Sequence, residues 1–192
     1  MTPDKYGDIL IGIGEAVRRL NAGEVIAYPT EAVYGLGCDP LNPEAVQKVL
    51  ELKGREAARG MILIGGSIDH VEPYLSEVAI LEELPRARPT WPGPVTWVFS
   101  ARKGLEIPGV IRNDSIAIRI SDHPIVRQLC DAFGTLLVST SANRTAALPA
   151  RSPEDLDAVW GDEVPPIVAG PLGGRERPSQ IRDARTNKVL RA

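Results

Sequence analysis

The segment LKGREAARGMILI, residues 52 to 64, sets Lys53, Arg55 and Arg59 in a glycine-punctuated break ahead of an apolar run. Two cations on either side of Gly54 can reach one polyphosphate together, the arginine as a planar fork and the lysine as a point charge. The same residues would also suit the last turn of a helix, where positive charge complements the carbonyl end. Three other stretches offer polar groups where strands end. In YPTEAVYGLG, Thr30 follows a strand-ending proline, and Gly35 and Gly37 would let the backbone approach a ligand; Thr30 as a local turn former is the plainer alternative. In SIAIRISDHP, Arg119 interrupts a strand alternating small and large apolar groups, and Asp122 and His123 suit the cap of the next helix. In VSTSAN, Ser139, Ser141 and Asn143 recur at spacing two, so an extended chain would present three neutral hydrogen-bonding groups on one side, unless the turn caps itself. No Gly-Lys-Ser/Thr follows the glycines and the dinucleotide fingerprint is incomplete, so the familiar nucleotide motifs are missing.

These groups need elements to hold them. Ile9, Ile13, Ala16, Val17 and Leu20 share a helical face behind Asp8, with Gly23 as the stop. GEVIAYP reads as a strand, and EAVYGLGCDP as an apolar stretch broken by its glycines. Asn42 and Pro43 suit the cap and first turn of a helix that buries Ala45, Val46, Val49 and Leu50 and stops near Lys53. MILIGG reads as a buried strand, and SIDHVEPYL and SEVAILEEL as two helical pieces. PGPVTWVFSA and SIAIRIS are further strands, Pro124 to Gly134 a helix, and TLLVSTSAN a strand running into a polar turn. Ser152, Pro153 and Asp155 form a capping box for a helix through Trp160, and PPIVAG, SQIRDA and KVLRA read as short strands. Helices and strands alternate early and strands gather late, which predicts one α/β domain, residues 7–192, around a twisted mixed parallel/antiparallel sheet with flanking helices.

Composition narrows the partners. With 25 acidic against 22 basic residues in 192, a polyanion must find a local basic patch instead of a uniformly basic surface. An aromatic content of 5% argues against a base-stacking platform. No apolar run approaches the roughly 20 residues of a membrane span and no leader opens the chain, so no membrane partner and a cytoplasmic location are expected. Cys38 and Cys130 match no metal or disulfide spacing and read as reduced packing residues.

Taken together and in order, YPTEAVYGLGCDP, LKGR, WPGPVTWVF, SIAIRISDHP, VSTSAN and PSQIRDA closely resemble the YrdC/TsaC family of threonylcarbamoyl-AMP synthases, from about Ile9 to Arg191. The resemblance implies a YrdC-like sheet with a concave basic cavity. It also implies condensation of L-threonine, bicarbonate and ATP to threonylcarbamoyladenylate and pyrophosphate, with Mg2+ on the phosphates and no protein-built metal site. The product feeds modification of adenosine 37 in tRNA, so downstream threonylcarbamoyl-transfer proteins are implied partners, as is tRNA or double-stranded RNA. By motif position, Lys53 and Arg55 would meet phosphates and carbamate. Thr30, Arg119, Ser139 and Ser179 would hold threonine, Arg119 by its carboxylate. Ser115, Ser141, Asn143 and Arg191 would lie on the nucleotide, and Ser139 and Asn143 join Lys53 and Arg55 as the catalytic group. This chain departs from the family at Arg144-Thr145-Ala146, where Ser-Gly is frequent, at Gly60, where proline often precedes the strand, and at Gln180, where threonine is usual. The alternative expectation is an RNA-binding module of the same fold without catalysis, which would need the cations but not the hydroxyl and amide groups.

Overall fold

The structure is a computed structural model and describes residues 9–54 and 60–192. Its ten strands are β1 (Leu10–Ile11), β2 (Ile26–Pro29), β3 (Tyr34–Gly37), β4 (Ile62–Gly65), β5 (Val95–Ser100), β6 (Ser115–Ile120), β7 (Leu137–Ser141), β8 (Ile167–Val168), β9 (Gln180–Asp183) and β10 (Val189–Arg191). They form one sheet in the order β1-β8-β2-β3-β7-β4-β6-β5-β9-β10. Pairing is mixed, as expected: β4–β6 and β5–β9 are parallel, whereas β2–β3, β3–β7, β4–β7 and β5–β6 are antiparallel.

Among the described residues five α-helices flank the sheet: α1 (Ile13–Asn21), α2 (Pro43–Lys53), α3 (Leu84–Ala87), α4 (Pro124–Phe133) and α5 (Pro153–Trp160). Asn42 caps α2 by accepting from the Ala45 amide at 3.1 Å, and Gly54 ends it in the left-handed conformation. The predicted capping box opens α5. Two expectations shift. The apolar residues before α1 do not extend the helix: Leu10–Ile11 pair in parallel with Ile167–Val168, and Gly12 occupies the cap position, while Asp8 lies outside the described residues. SIDHVEPYL forms two 3-10 turns, Ile68–His70 and Glu72–Tyr74, because Pro73 and the extended Leu75 leave no room for a helical ladder.

Alternation along the strands divides the core in two. Ala27, Leu36, Leu63, Val138, Ile116, Ile118 and Ile120 face α2, Trp91 and the 68–90 segment, while Ile26, Tyr28, Ile64 and Leu137 face α1 and α4. On this second face the apolar run gives way to polar side chains: two residues past Leu137 stands Ser139, then Ser141, and between Ile118 and Ile120 stands Arg119. Polar groups stand there among apolar neighbours such as Ile62 and Ile181, and this mixed area becomes a cavity floor. Cys38 and Cys130 are buried, and burial pushes both thiols up to about 12, in keeping with packing roles.

Gly35 and Gly37 do not break the second apolar stretch; both lie within β3. The Tyr28 ring fills the space their side chains would occupy. A Cβ on Gly37 would fall 2.7 Å from Tyr28 Cε1 and 2.9 Å from the Val138 carbonyl oxygen.

Candidate active site

A cavity of about 990 Å³ opens on the polar part of the sheet, lined by Thr30, Glu31, Gly35, Arg119, Ser139, Ser141, Ser179 and Arg191 among others. It lies on the face of the sheet more than at the strand ends, because the two-residue alternation, kept in register from strand to strand, turns side chains of β7, β4, β6 and β9 to the same side. Its volume is at the upper end of the roughly 300–1,000 Å³ usual for one small-molecule site, which leaves room for two reactants. Five arginines, 119, 151, 175, 177 and 191, line it against three carboxylates, Glu31, Asp155 and Glu176. A chain of net charge −3 has thus collected positive charge at one place.

At the floor is an ion pair that sequence reading missed. Arg119 Nη1 lies 2.8 Å from Glu31 Oε2, with both residues under a tenth exposed. The Ser121 hydroxyl donates to Glu31 Oε1 at 2.7 Å and accepts from the His123 amide at 3.1 Å. Arg119 meets Glu31 through Nη1, and its Nε is buried without a hydrogen-bond partner. That N–H is an unspent donor, shut in beside the Glu31 counter-charge. Burial alone would raise the Glu31 carboxyl, but the Arg119 charge and then the Ser121 hydroxyl outweigh it and hold the group below its ordinary value of 4.5. A folded-state value below the unfolded one means that the pair adds stability above about pH 4.5 and loses it as pH falls through the lowered value. The expected result is that Glu31→Gln melts below wild type at pH 7 and that the gap narrows towards pH 3, read by thermal unfolding. Glu31 was legible only as one acid in YPTEAVYGLG, because its partner is 88 positions away in sequence and adjacent only in the sheet.

The Thr30 hydroxyl donates to the Val33 carbonyl at 2.7 Å, closing the β2–β3 turn, and the residue also lines the cavity. Ser139 and Ser141 line the cavity, with Gly35 opposite Ser141 in the sheet. Ser179 lines it as well and shares a 2.9 Å hydrogen bond with the fully buried Thr96. Gln180, beside it, has turned to accept from Arg182 Nε at 2.6 Å. Arg191 donates to the Ser179 carbonyl at 2.7 Å; burial and then the like charge of Arg119 weaken its hold on its proton. Two cations facing one cavity repel until an anion lies between them.

The remaining expectations fall differently. Lys53 is 3% exposed, and its ammonium donates to the Ser141 carbonyl at 2.6 Å, the Asn143 carbonyl at 2.8 Å and Asn143 Oδ1 at 3.0 Å. It sits behind the wall, holding the loop after β7. Asn143 is part of the same knot: Oδ1 accepts from the Ser141 hydroxyl at 2.6 Å and Nδ2 donates to the carbonyls of Arg144 and Ala147. Ser139 and Ser141 thus share a side, as their spacing suggested, while the chain turns before Asn143 can join them. Ser115 is outside the described lining and bonds the Asn113 carbonyl at 3.3 Å. Arg55 and Arg59 lie outside the described residues. Asp122 and His123 do not cap α4 through their side chains. Asp122 pairs with Arg175 at 3.2 Å, and His123 Nε2 meets the Pro171 carbonyl at 3.1 Å, because the segment before β9 runs across Thr30 and Glu31.

The departing loop carries a cost. Ala146 has φ +68°, in the left-handed region that costs a residue with a Cβ roughly 1–2 kcal/mol. Glycine would remove that strain but add unfolded-state entropy of about 0.4–1 kcal/mol. Ala146→Gly is therefore expected to raise the melting temperature by about 2–3 °C, checked by calorimetry.

The buried polar groups, the rim arginines and the volume define a class: an α/β protein whose mixed sheet carries, on its open face, a cavity suited to small anionic ligands. The Sua5/YciO/YrdC family model, described as "Telomere recombination", matches residues 18–192, and the chain belongs to that family. It is 46% identical over 178 residues to a protein of Vibrio campbellii named threonylcarbamoyl-AMP synthase, covering 92% of this chain and 96% of that one. A protein of the same name from Chromohalobacter salexigens is 48% identical over 183 residues, covering 93% and 96%. Among solved structures, P. abyssi Sua5 complexed with L-threonine superposes with a TM-score of 0.79 at 28% identity, over 89% of this chain; the chain spans 50% of that longer protein. E. coli YciO shares the fold, with a TM-score of 0.77 at 23% identity over 93% of this chain and 87% of its own.

Proposed function

We propose that the chain is a threonylcarbamoyl-AMP synthase, condensing L-threonine, bicarbonate and ATP to L-threonylcarbamoyladenylate and pyrophosphate for threonylcarbamoylation of adenosine 37 in tRNA. Relatives of that name match nearly the whole chain. The observation that carries the reading is Arg119: a guanidinium only 7% exposed that lines one cavity together with Ser139 and Ser141. A planar fork suits a carboxylate, and the buried Ser139 hydroxyl suits an anionic oxygen. The threonine-bound Sua5 structure supports an amino acid in this cavity.

The chemistry explains the charge. Threonine nitrogen captures CO2 with release of a proton, or bicarbonate with loss of water, to give a carbamate, whose oxygen attacks the α-phosphorus of ATP and expels pyrophosphate. Two anions must come within bonding distance. Arg191 and the other rim arginines would screen the phosphates, and Arg119 would hold the carboxylate. Fixed donors then stabilise the charge that develops, as in phosphoryl transfer generally. Lys53 acts at one remove, placing the Ser141 hydroxyl and adding positive potential behind it; Arg55 we assign to phosphates and carbamate on family motif alone. Thr30 and Ser179, which line the cavity, would border the amino acid, while Ser115 and Asn143, which do not, are assigned to the nucleotide side on family motif alone.

Magnesium would ride on the phosphates. Glu31 is engaged with Arg119 and Ser121, and Asp155 Oδ2 accepts from the amides of Arg151 and Ser152, so two of the three cavity carboxylates are already occupied. Among the described residues no cluster of three metal-ligating side chains exists. When bound, the ion neutralises phosphate charge. No helix of the described residues is long and apolar enough to cross a membrane, and we place the protein in the cytoplasm, passing its adenylate to threonylcarbamoyl-transfer proteins and tRNA. The RNA-binding alternative is disfavoured because the hydroxyls lie at the bottom of a cavity that a duplex cannot enter. Pyrophosphate release from ATP is expected to require both threonine and bicarbonate; release indifferent to threonine would contradict the reading.

A further inference from the structure

We propose that Tyr28 is a positioning residue that acts through Ser139, committing the Ser139 hydroxyl to donate its proton to an anionic oxygen of the bound reactants. The inference rests on the reading of the cavity as the synthase site, and it adds a residue that does not touch substrate. The Tyr28 hydroxyl donates to Ser139 Oγ at 2.8 Å, across strands β2 and β7, which are separated in the sheet by β3. A serine hydroxyl has one proton to give and two lone pairs to receive with. Because Tyr28 supplies a proton to one lone pair, Ser139 has its own proton to spend. No acceptor among the described residues takes it, and Ser139 lines the cavity.

The relay is fixed in place from behind. Tyr28 is fully buried, and its ring is wedged into the side-chain space of two glycines, 3.2 Å from the Cβ position of Gly35 and 2.7 Å from that of Gly37. The hydroxyl cannot swing away without moving β3. Burial also pushes Tyr28 ionisation upward, beyond any working pH, so the group remains a donor throughout. A hydrogen bond received by an alcohol polarises its own O–H, which strengthens what it donates onward. The recipient is an oxygen bearing negative charge, either on the amino-acid carboxylate or carbamate or on a phosphate; a cation or a second donor would meet the wrong end of the hydroxyl.

Tyr28→Phe keeps the ring that fills the glycine space and removes only the relay. The test compares wild type, Tyr28→Phe, Ser139→Ala and the double variant for kcat and for KM of threonine and of ATP, with titration calorimetry of threonine alone and of ATP with magnesium alone. Tyr28→Phe is expected to fold and to lose about tenfold in kcat/KM, Ser139→Ala about a hundredfold, and the double variant no more than Ser139→Ala. A loss concentrated in threonine KM places the oxygen on the amino acid, and one in ATP KM places it on the nucleotide; either supports the relay. Tyr28→Phe within twofold of wild type, or losses that multiply in the double variant, would overturn it. An inactive wild-type protein would instead contradict the proposed reaction. The titrations would then decide the relay: weaker binding of threonine or ATP by Tyr28→Phe supports it, and unchanged binding of both overturns it.

Discussion

Glu31→Ala is expected to be the most damaging single change in the cavity, destabilising the fold by about 3–5 kcal/mol, because it leaves the Arg119 guanidinium buried without a counter-charge. In a protein of this length that is a fall of roughly 10 °C in melting temperature. The pair itself contributes less than the variant loses, since two charges gave up their hydration to come together. That reasoning yields a control: the double variant Glu31→Ala, Arg119→Leu should recover much of the lost stability while remaining inactive. Thermal unfolding of both proteins checks it. If the single variant melts within 2 °C of wild type, the pair is solvated and Arg119 is not the pre-set cation described above.

Lys53→Met is expected to cost about 3 kcal/mol and to lower kcat/KM by roughly a hundredfold. Methionine fills the volume of the stem but leaves the carbonyls of Ser141 and Asn143 and the Asn143 amide oxygen without their shared donor, each worth about 1–3 kcal/mol when buried, with part regained by relaxation. The loss of rate has a separate origin. Ser141 is held through its carbonyl by Lys53 and through its hydroxyl by Asn143, and a shift of an ångström in a positioned group is enough to cost two orders of magnitude. Calorimetry and steady-state pyrophosphate release measure the two effects independently. Full activity with unchanged stability would remove Lys53 from the account.

What could be read from the chain alone follows the range of the interactions. The helices after Asn42, Pro124 and Ser152 are written locally in caps, prolines and apolar spacing, and they formed where that code put them. The family and its fold were legible because six short motifs keep their order over nearly the whole chain. Pairings between distant segments were not. Nothing near Tyr28 announces Ser139, 111 positions on, and nothing near Glu31 announces Arg119; a two-residue period tells which face a side chain takes but not which strand lies beside it. For the same reason Gly35 and Gly37 suggested room for a ligand, whereas the cross-strand Tyr28 ring takes that room. Lys53 suggested a phosphate contact from its motif, and the fold gave its ammonium backbone carbonyls to hold. The early strand Leu10–Ile11 escaped notice because two residues are too few to show alternation, and only their partner Ile167–Val168 makes them a strand.

The most direct measurement is mass spectrometry of the nucleotide formed when purified protein is given ATP, magnesium, L-threonine and carbon-13 bicarbonate. The expected product is threonylcarbamoyladenylate one mass unit heavier than its unlabelled form, absent when threonine is omitted and greatly reduced in Arg119→Ala. An unlabelled adenylate, or the labelled product made undiminished by Arg119→Ala, would contradict it.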